Sequence, residues 1–257
     1  MKVVILAGGL GTRLSEETET KPKPMIEIGG RPMLWHIMKI YSHYGFTDFY
    51  IAMGYKGEVI KHYFWDLQNL SGSLSFELGN GRVNRFSANQ LNWNVHLIET
   101  GIDTQTGGRI KRLQSYLEDE TFMLTYGDGV SNVDLHALLK LHRQAGCIGT
   151  VTAVHPPARF GGLTLECNLV TGFSEKSQID VGWINGGFLV FEPRVFEYID
   201  GDSTNLEADV LPKLAAEHQL AAYKHAAFWQ CMDTLREKRL LDSLWNQGNQ
   251  PWKTWRD

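Results

Sequence analysis

Short, unbroken apolar runs recur along this chain, separated by segments of helical period. VVILA (3–7) stops at Gly8-Gly9, and DFYIAM (48–53), NVHLIE (94–99), FMLTY (122–126) and TVTAV (150–154) follow at intervals. A run of roughly four to eight residues that stays largely apolar suits a strand buried on both faces, whereas a half-exposed strand alternates. Between the runs the spacing changes. Leu34, Ile37, Met38 and Tyr41 recur after Arg31-Pro32, with Gly45 as a stop. Val59, Ile60, Tyr63 and Phe64 share a face over 57–64, as do Ile110, Leu113 and Leu117 over 109–117. Leu135, Leu138 and Leu139 do the same after Asp134. Strand alternating with helix predicts an α/β domain whose parallel sheet is covered on both faces.

Two stretches depart from this rhythm. From about 66 to 94, glycines and asparagines separate SLSFEL and RVNRFS, which predicts a β excursion or a mobile loop. Later, LTLE, LVTGF and GGFLVFE mix with helical patterns near 207–217 and 235–245, so some late strands are expected to be antiparallel. No linker, repeat or low-complexity tract interrupts the 257 residues. The expectation is one Rossmann-like domain over 1–257, with a mixed, mostly parallel sheet flanked by helices. A net charge of -4 argues against a general nucleic-acid binder. The three cysteines are scattered, which disfavours a disulfide framework or zinc site, and no run approaches a membrane span of about 18 apolar residues. A cytoplasmic protein with neither nucleic-acid nor membrane partners is expected.

The candidate chemistry begins at the first glycine turn. Gly9-Leu10-Gly11-Thr12-Arg13-Leu14 has two glycines of the dinucleotide fingerprint, but Leu14 stands where the third would allow close helix–strand packing. That disfavours a nicotinamide oxidoreductase. A glycine loop whose amides face an anion remains, flanked by Arg13, Lys21 and Lys23; the alternative is a tight turn with solvated basic residues. In Lys21-Pro22-Lys23-Pro24 the prolines restrict the backbone, so Lys23 is expected on a stiff, extended segment and aimed at phosphate. Asp128, in Gly127-Asp128-Gly129, lies just past an apolar strand, where open α/β sheets bind ligands. It reads either as a metal carboxylate or as a turn aspartate. Asp233, in CMDT, reads by itself as a cap for the following helix. Thr106-Gly107-Gly108-Arg109 marks a second glycine turn, suited to an anion or a base edge, or simply to a helix cap. The nine histidines form no metal-binding spacing; His36 and His142 read as packed or solvated, and most of the eight tryptophans as core or tail anchors.

Taken together, AGGLGTRL, KPKPM, TYGDG and the late MDT resemble the sugar nucleotidyltransferase family. GGLGTRLSEET, KPKPMIEIGGRP, WHIM, INGGF and PWKTW are similar to its branch that acts on glucose 1-phosphate with CTP, and the similarity runs from Met1 to Asp257. The resemblance implies CMP transfer from CTP to α-D-glucose 1-phosphate, giving CDP-glucose and pyrophosphate with Mg²⁺, in a homo-oligomer. It implies that Leu6, Ala7, Gly8, Gly9, Leu10, Gly11, Thr12 and Arg13 cradle the nucleotide. Lys23, Thr104, Thr106, Arg109 and Gly127 join them. Glu175, Lys176, Asn185 and Gly186 are implied for the sugar phosphate, although Ser177 replaces the proline of the family's E-K-P. Asp128 and Asp233 are implied at Mg²⁺, and Arg13, Lys23 and Asp128 in catalysis. A phosphate monoester has its second pKa near about 6, so the attacking group is already ionised and no general base is needed. Uridylyl or thymidylyl transfer, or a non-catalytic sugar-nucleotide sensor, remain the alternatives; a sensor would not need both aspartates.

Overall fold

The computed structural model describes residues 1–9, 11, 18–86, 91–156, 162–166, 169–174 and 182–256. In chain order the main elements are β1 (Lys2–Ala7), α1 (Met33–His43), β2 (Asp48–Met53), α2 (Gly57–Leu70), β3 (Asn94–Glu99) and α3 (Thr106–Lys111). They continue with β4 (Phe122–Tyr126), α4 (Leu135–Ala145), β5 (Gly149–Val154), β6 (Ile184–Phe191), α5 (Leu211–Ala216), β7 (Leu220–His225) and α6 (Leu235–Asn246). The seven strands form one sheet in the order β7-β5-β6-β4-β1-β2-β3. Six run parallel, and β6 runs antiparallel between β4 and β5.

The apolar runs are buried on both faces. Val3, Ile5 and Ala7 of β1 join one core with α1, α4 and the C-terminal tryptophans. Val4 and Leu6 point into the other, with Ile110, Leu117, Val195 and Leu214. Two cores on either side of one sheet explain why these strands read as continuous rather than alternating. β1 lies at the centre: the chain goes to β2 and β3 on one side, then returns to β4 on the other. The carboxyl ends of β1 and β4 therefore diverge at a topological switch point, where open α/β sheets leave a crevice.

Four local expectations need correction. The helix beginning at Gly57 continues to Leu70, because nothing before Ser71-Gly72 stops it; the excursion is then a hairpin, Ser73–Glu77 with Arg82–Phe86. The 109–117 helix is two pieces, α3 and a turn at Gln114–Leu117, joined where Leu113 N–H bonds to the Ile110 carbonyl in a tightened turn. The 207–217 helix splits too, into a wide π turn at Leu206–Val210 and then α5. Pro212 lies in the first turn of α5 and has no N–H to continue a ladder back into the preceding turn. Lys23 is not extended: Lys23–Met25 forms one 3₁₀ turn after Pro22, with Pro24 at its start, where a missing N–H costs nothing.

Candidate functional site

That 3₁₀ turn still aims Lys23. Met25 N–H bonds to the Pro22 carbonyl at 2.8 Å and Ile26 N–H to the Lys23 carbonyl at 3.1 Å, while Pro24 and Met25 are buried. The side chain is thus fixed at its root and only 13% exposed. Its ammonium bonds Asp128 Oδ2 at 2.7 Å and also Asp233 Oδ1. Burial alone lowers the Lys23 pKa, but the field and hydrogen bonds of Asp128 and then Asp233 outweigh it and hold it above the usual lysine value. Lys21, by contrast, is exposed and pairs with Glu27 at 3.0 Å.

A short ribbon brings the two aspartates together across 105 positions of sequence. Beyond β4, Gly129–Ser131 pairs antiparallel with Trp229–Cys231, placing Gly129 opposite Cys231. Met232 N–H then bonds to the Asp128 carbonyl at 2.8 Å, so both aspartates leave the same end of the ribbon. Asp233 is not the cap of α6. Thr234 takes that role, with Glu237 completing a capping box and accepting the Asp233 N–H at 2.7 Å. The Asp233 carboxylate faces Lys23. Nearby Cys231 is pushed up to about 12 by burial and then by Glu237, Asp233 and Asp128, so it remains a thiol.

A cleft of about 640 Å³ opens at the switch point. Leu6 to Gly9 and Gly11 form one side, Gly127, Asp128 and Lys23 the floor, and Ile102 to Thr106 the opposite wall. Gly127 N–H bonds to the Leu6 carbonyl at 3.0 Å, locking β1 to β4 at its base. Leu10, Thr12 and Arg13 lie outside the described residues, as do Glu175 and Lys176.

Arg109 also lines the cleft, and its guanidinium is engaged by the protein itself. Its guanidinium donates to the carbonyls of Met53, Gly101, Gly8 and Ile102 and to Thr100 Oγ1, at 2.6–3.2 Å. No carboxylate pairs with it among the described residues, and burial and then Arg112 lower its pKa. It fastens three strand ends beneath the cleft. A Cβ on Gly8 would lie 2.2 Å from Arg109 Nη1, which is why the loop needs glycine there. Similarly, a Cβ on Gly108 would meet the Asp202 carbonyl oxygen at 2.5 Å, so the TGGR glycines serve close packing of α3 on the 202–204 loop. Thr104 is buried in the wall. The Thr106 hydroxyl donates to Glu207 Oε2 at 2.7 Å.

Asn185 and Gly186 stand behind the cleft. β6 bulges against β5 between Asn185 and Leu189, which is the bulge alternative for this Asn-Gly-Gly segment. Asn185 Nδ2 donates to the Tyr126 hydroxyl at 3.2 Å, and Trp229 Nε1 donates to the Gly186 carbonyl at 2.7 Å. Tyr126 lines the cleft and Glu207 holds its hydroxyl; neither stood out in the sequence, where Tyr126 ends a strand and Glu207 sits in a helix-like run. His36 is enclosed by Trp35, Trp245, Trp252 and Trp255, and burial takes its pKa down to about 4. His142 is buried against Thr150 and Glu192. Both are structural. No described helix is long and apolar enough to cross a membrane.

Comparison with known proteins places these residues in context. Residues 2–257 match the family model described as nucleotidyl transferase. The chain is 50% identical to a glucose-1-phosphate cytidylyltransferase of Salmonella typhi, over 99% of this chain and 100% of that one. Identity to a UTP–glucose-1-phosphate uridylyltransferase of Synechocystis is 30%, over 83% of this chain and 55% of that protein. Among solved structures, HddC from Yersinia pseudotuberculosis superposes with a TM-score of 0.69 at 24% identity, covering 95% of this chain and 99% of that one. That last likeness concerns the fold.

Proposed function

The chain belongs to the nucleotidyl transferase family, and from that premise we propose that it is a glucose-1-phosphate cytidylyltransferase, transferring CMP from CTP to α-D-glucose 1-phosphate. The observation that carries the chemistry is the meeting of Lys23, Asp128 and Asp233 at the switch-point cleft. The choice of cytosine and glucose rests on 50% identity along the whole chain to an enzyme with that name, against 30% for a uridylyl-transferring relative.

The difficulty of this reaction is bringing two polyanions together. The sugar phosphate is already ionised, so catalysis consists of alignment and charge neutralisation at the α-phosphorus. The phosphate oxygen attacks in line, one phosphoanhydride bond forms as another breaks, and pyrophosphate leaves. Lys23 supplies a charge that its two carboxylates keep protonated and oriented. The Gly8, Gly9 and Gly11 backbone offers donors for the nucleotide. Arg13 holds the departing β,γ-phosphates and Lys176 the sugar phosphate in this reading, with Glu175 on the sugar.

The donor set at the floor of the cleft fits Mg²⁺. Two carboxylates flank the Lys23 ammonium, and an ion there would share their oxygens with it; among the described residues no group of three His, Cys, Asp or Glu surrounds the place. Mg²⁺ takes one or two carboxylates and completes its shell with substrate phosphates and water, so Asp128 and Asp233 suffice. When bound, the ion supplies charge stabilisation to the phosphates. Self-association is part of the same reading. The hairpin after α2 leaves Phe76 and Val83 exposed as a cross-strand pair on one face, with Leu78 exposed at its turn. Lone two-stranded hairpins are marginal in water, so a second copy covering this face supports a homo-oligomer.

The test is a matrix of four nucleoside triphosphates against several sugar 1-phosphates, read by pyrophosphate release with Mg²⁺ and with EDTA. CTP with α-D-glucose 1-phosphate should turn over, and EDTA should stop it. Turnover with UTP alone would overturn the cytidylyl assignment and leave the chemistry standing.

A further inference from the structure

Glu207 lies outside the cleft, yet its carboxylate holds two of the residues that form the walls. Tyr126 Oη donates to Glu207 Oε1 at 2.5 Å, and Thr106 Oγ1 donates to Oε2 at 2.7 Å. Tyr126 stands at the end of β4, immediately before Gly127-Asp128, whereas Thr106 begins α3 on the opposite wall. Each hydroxyl also accepts a bond: Tyr126 from Asn185 Nδ2 at 3.2 Å, Thr106 from Leu206 N–H at 2.9 Å. A continuous string thus runs Asn185–Tyr126–Glu207–Thr106, from the β6 bulge across to α3. The carboxylate is anchored from below, since Asn205 Oδ1 accepts the N–H groups of Glu207 and Ala208 at 2.9 and 2.8 Å. It sits on a π turn, a local geometry that recurs at functional sites.

We propose that Glu207 is a positioning residue for the nucleotidyl transfer: its two oxygens fix the separation of the Tyr126 and Thr106 walls, and so the alignment of the two substrates. The inference rests on the function proposed above. Its chemistry requires a carboxylate specifically. Two acceptor oxygens can receive two hydroxyl protons at once, whereas an amide offers one acceptor and one donor group. A glutamine would therefore meet one of the two hydroxyls with an N–H, leaving that O–H without its acceptor. The Tyr126 ring has no slack either, because a Cβ on Gly187 would lie 2.5 Å from it. Release of the hydroxyl would let the ring, and the Asp128 loop after it, relax by fractions of an ångström. Misplacement on that scale acts on kcat more than on affinity.

The test compares Glu207→Gln, Tyr126→Phe and the double variant with the wild type, measuring kcat, both substrate KM values and the melting temperature. We expect kcat to fall on the order of 10- to 100-fold in each single variant, as misalignment does. Both KM values should move far less than kcat, and the melting point should stay close to wild type. The double variant should be no worse than the worse single one, because both remove the same link. Unchanged kcat in Glu207→Gln, or losses that multiply in the double variant, would overturn the inference while leaving the proposed function intact. A wild type that turns over no triphosphate–sugar pair would overturn the function, and this inference with it.

Discussion

Replacing Arg109 by alanine should destabilise the whole fold, and the structure indicates by how much. The guanidinium donates to five acceptors on three segments of chain. Charge-assisted hydrogen bonds contribute about 1.5–3 kcal/mol each, so five at face value would equal the entire stability of a typical domain. Solvent access decides how many count. Gly8 and Ile102 border the cleft, so water can replace the guanidinium there. Met53 and Thr100 are fully buried, so no water replaces the charged donor there, although the Met53 carbonyl keeps the Thr100 N–H and hydroxyl as partners. Two such losses amount to about 3–6 kcal/mol. Removing a buried cation recovers some desolvation, but not the two charge-assisted bonds. For a chain of this size each kcal/mol shifts the melting point by roughly 2–4 °C, so a drop on the order of 10 °C is expected. Arg109→Lys should lie between, since it keeps the charge but not the fork. Calorimetry or urea titration reads the effect directly. A drop under about 2 °C for Arg109→Ala would refute the two-acceptor count on which that scale depends.

Other outcomes follow from the same coordinates. Asp128→Ala should lose several kcal/mol of transition-state stabilisation, or about three orders of magnitude in kcat, with the fold retained; near-normal turnover at saturating Mg²⁺ would exclude it from the metal site. Lys23→Ala should depress kcat more than either KM, because charge at the α-phosphorus grows in the transition state; a pure KM effect would assign it to ground-state binding. His36 should make stability fall with acid. Its pKa is 6.5 unfolded and about 4 folded, so between these values the unfolded chain takes a proton that the folded one refuses. Stability contributed by the neutral ring is complete above pH 6.5 and declines toward pH 4, by up to about 3 kcal/mol. Trp252 Nε1 donates to Nδ1 at 3.4 Å, which leaves no acceptor for a second ring proton. Urea midpoints at pH 7, 5 and 4 should show this extra slope in the wild type and not in His36→Asn; equal slopes would refute it.

Much of the architecture follows from local pattern. β2, β3 and β4 occupy the ranges their apolar runs mark, because burial on both faces of a sheet demands apolar residues at consecutive positions. Lys23 and Asp128 stood out for a related reason: prolines and glycines constrain the backbone where they stand, although at Lys23 the constraint closes a 3₁₀ turn rather than the extended segment expected. Asp233 could be tied to Asp128 only through resemblance, since a helix cap and a metal carboxylate look alike in sequence. Pairing of Gly129–Ser131 with Trp229–Cys231 brings Asp233 to Asp128, and Thr234 takes the cap. Arg109 shows what spacing leaves out. A guanidinium after two glycines suggests a ligand contact, but carbonyls from β1, β2 and the turn after β3 surround it once the sheet assembles. Glu207 left no trace, because a carboxylate in a helix-like run reads as a solvated face until Tyr126 and Thr106 close on it from about 80 and 100 residues away. Periodicity records which side of an element faces the core. Hydrogen-bond partners across such separations depend on how the elements pack, and only the assembled sheet determines that.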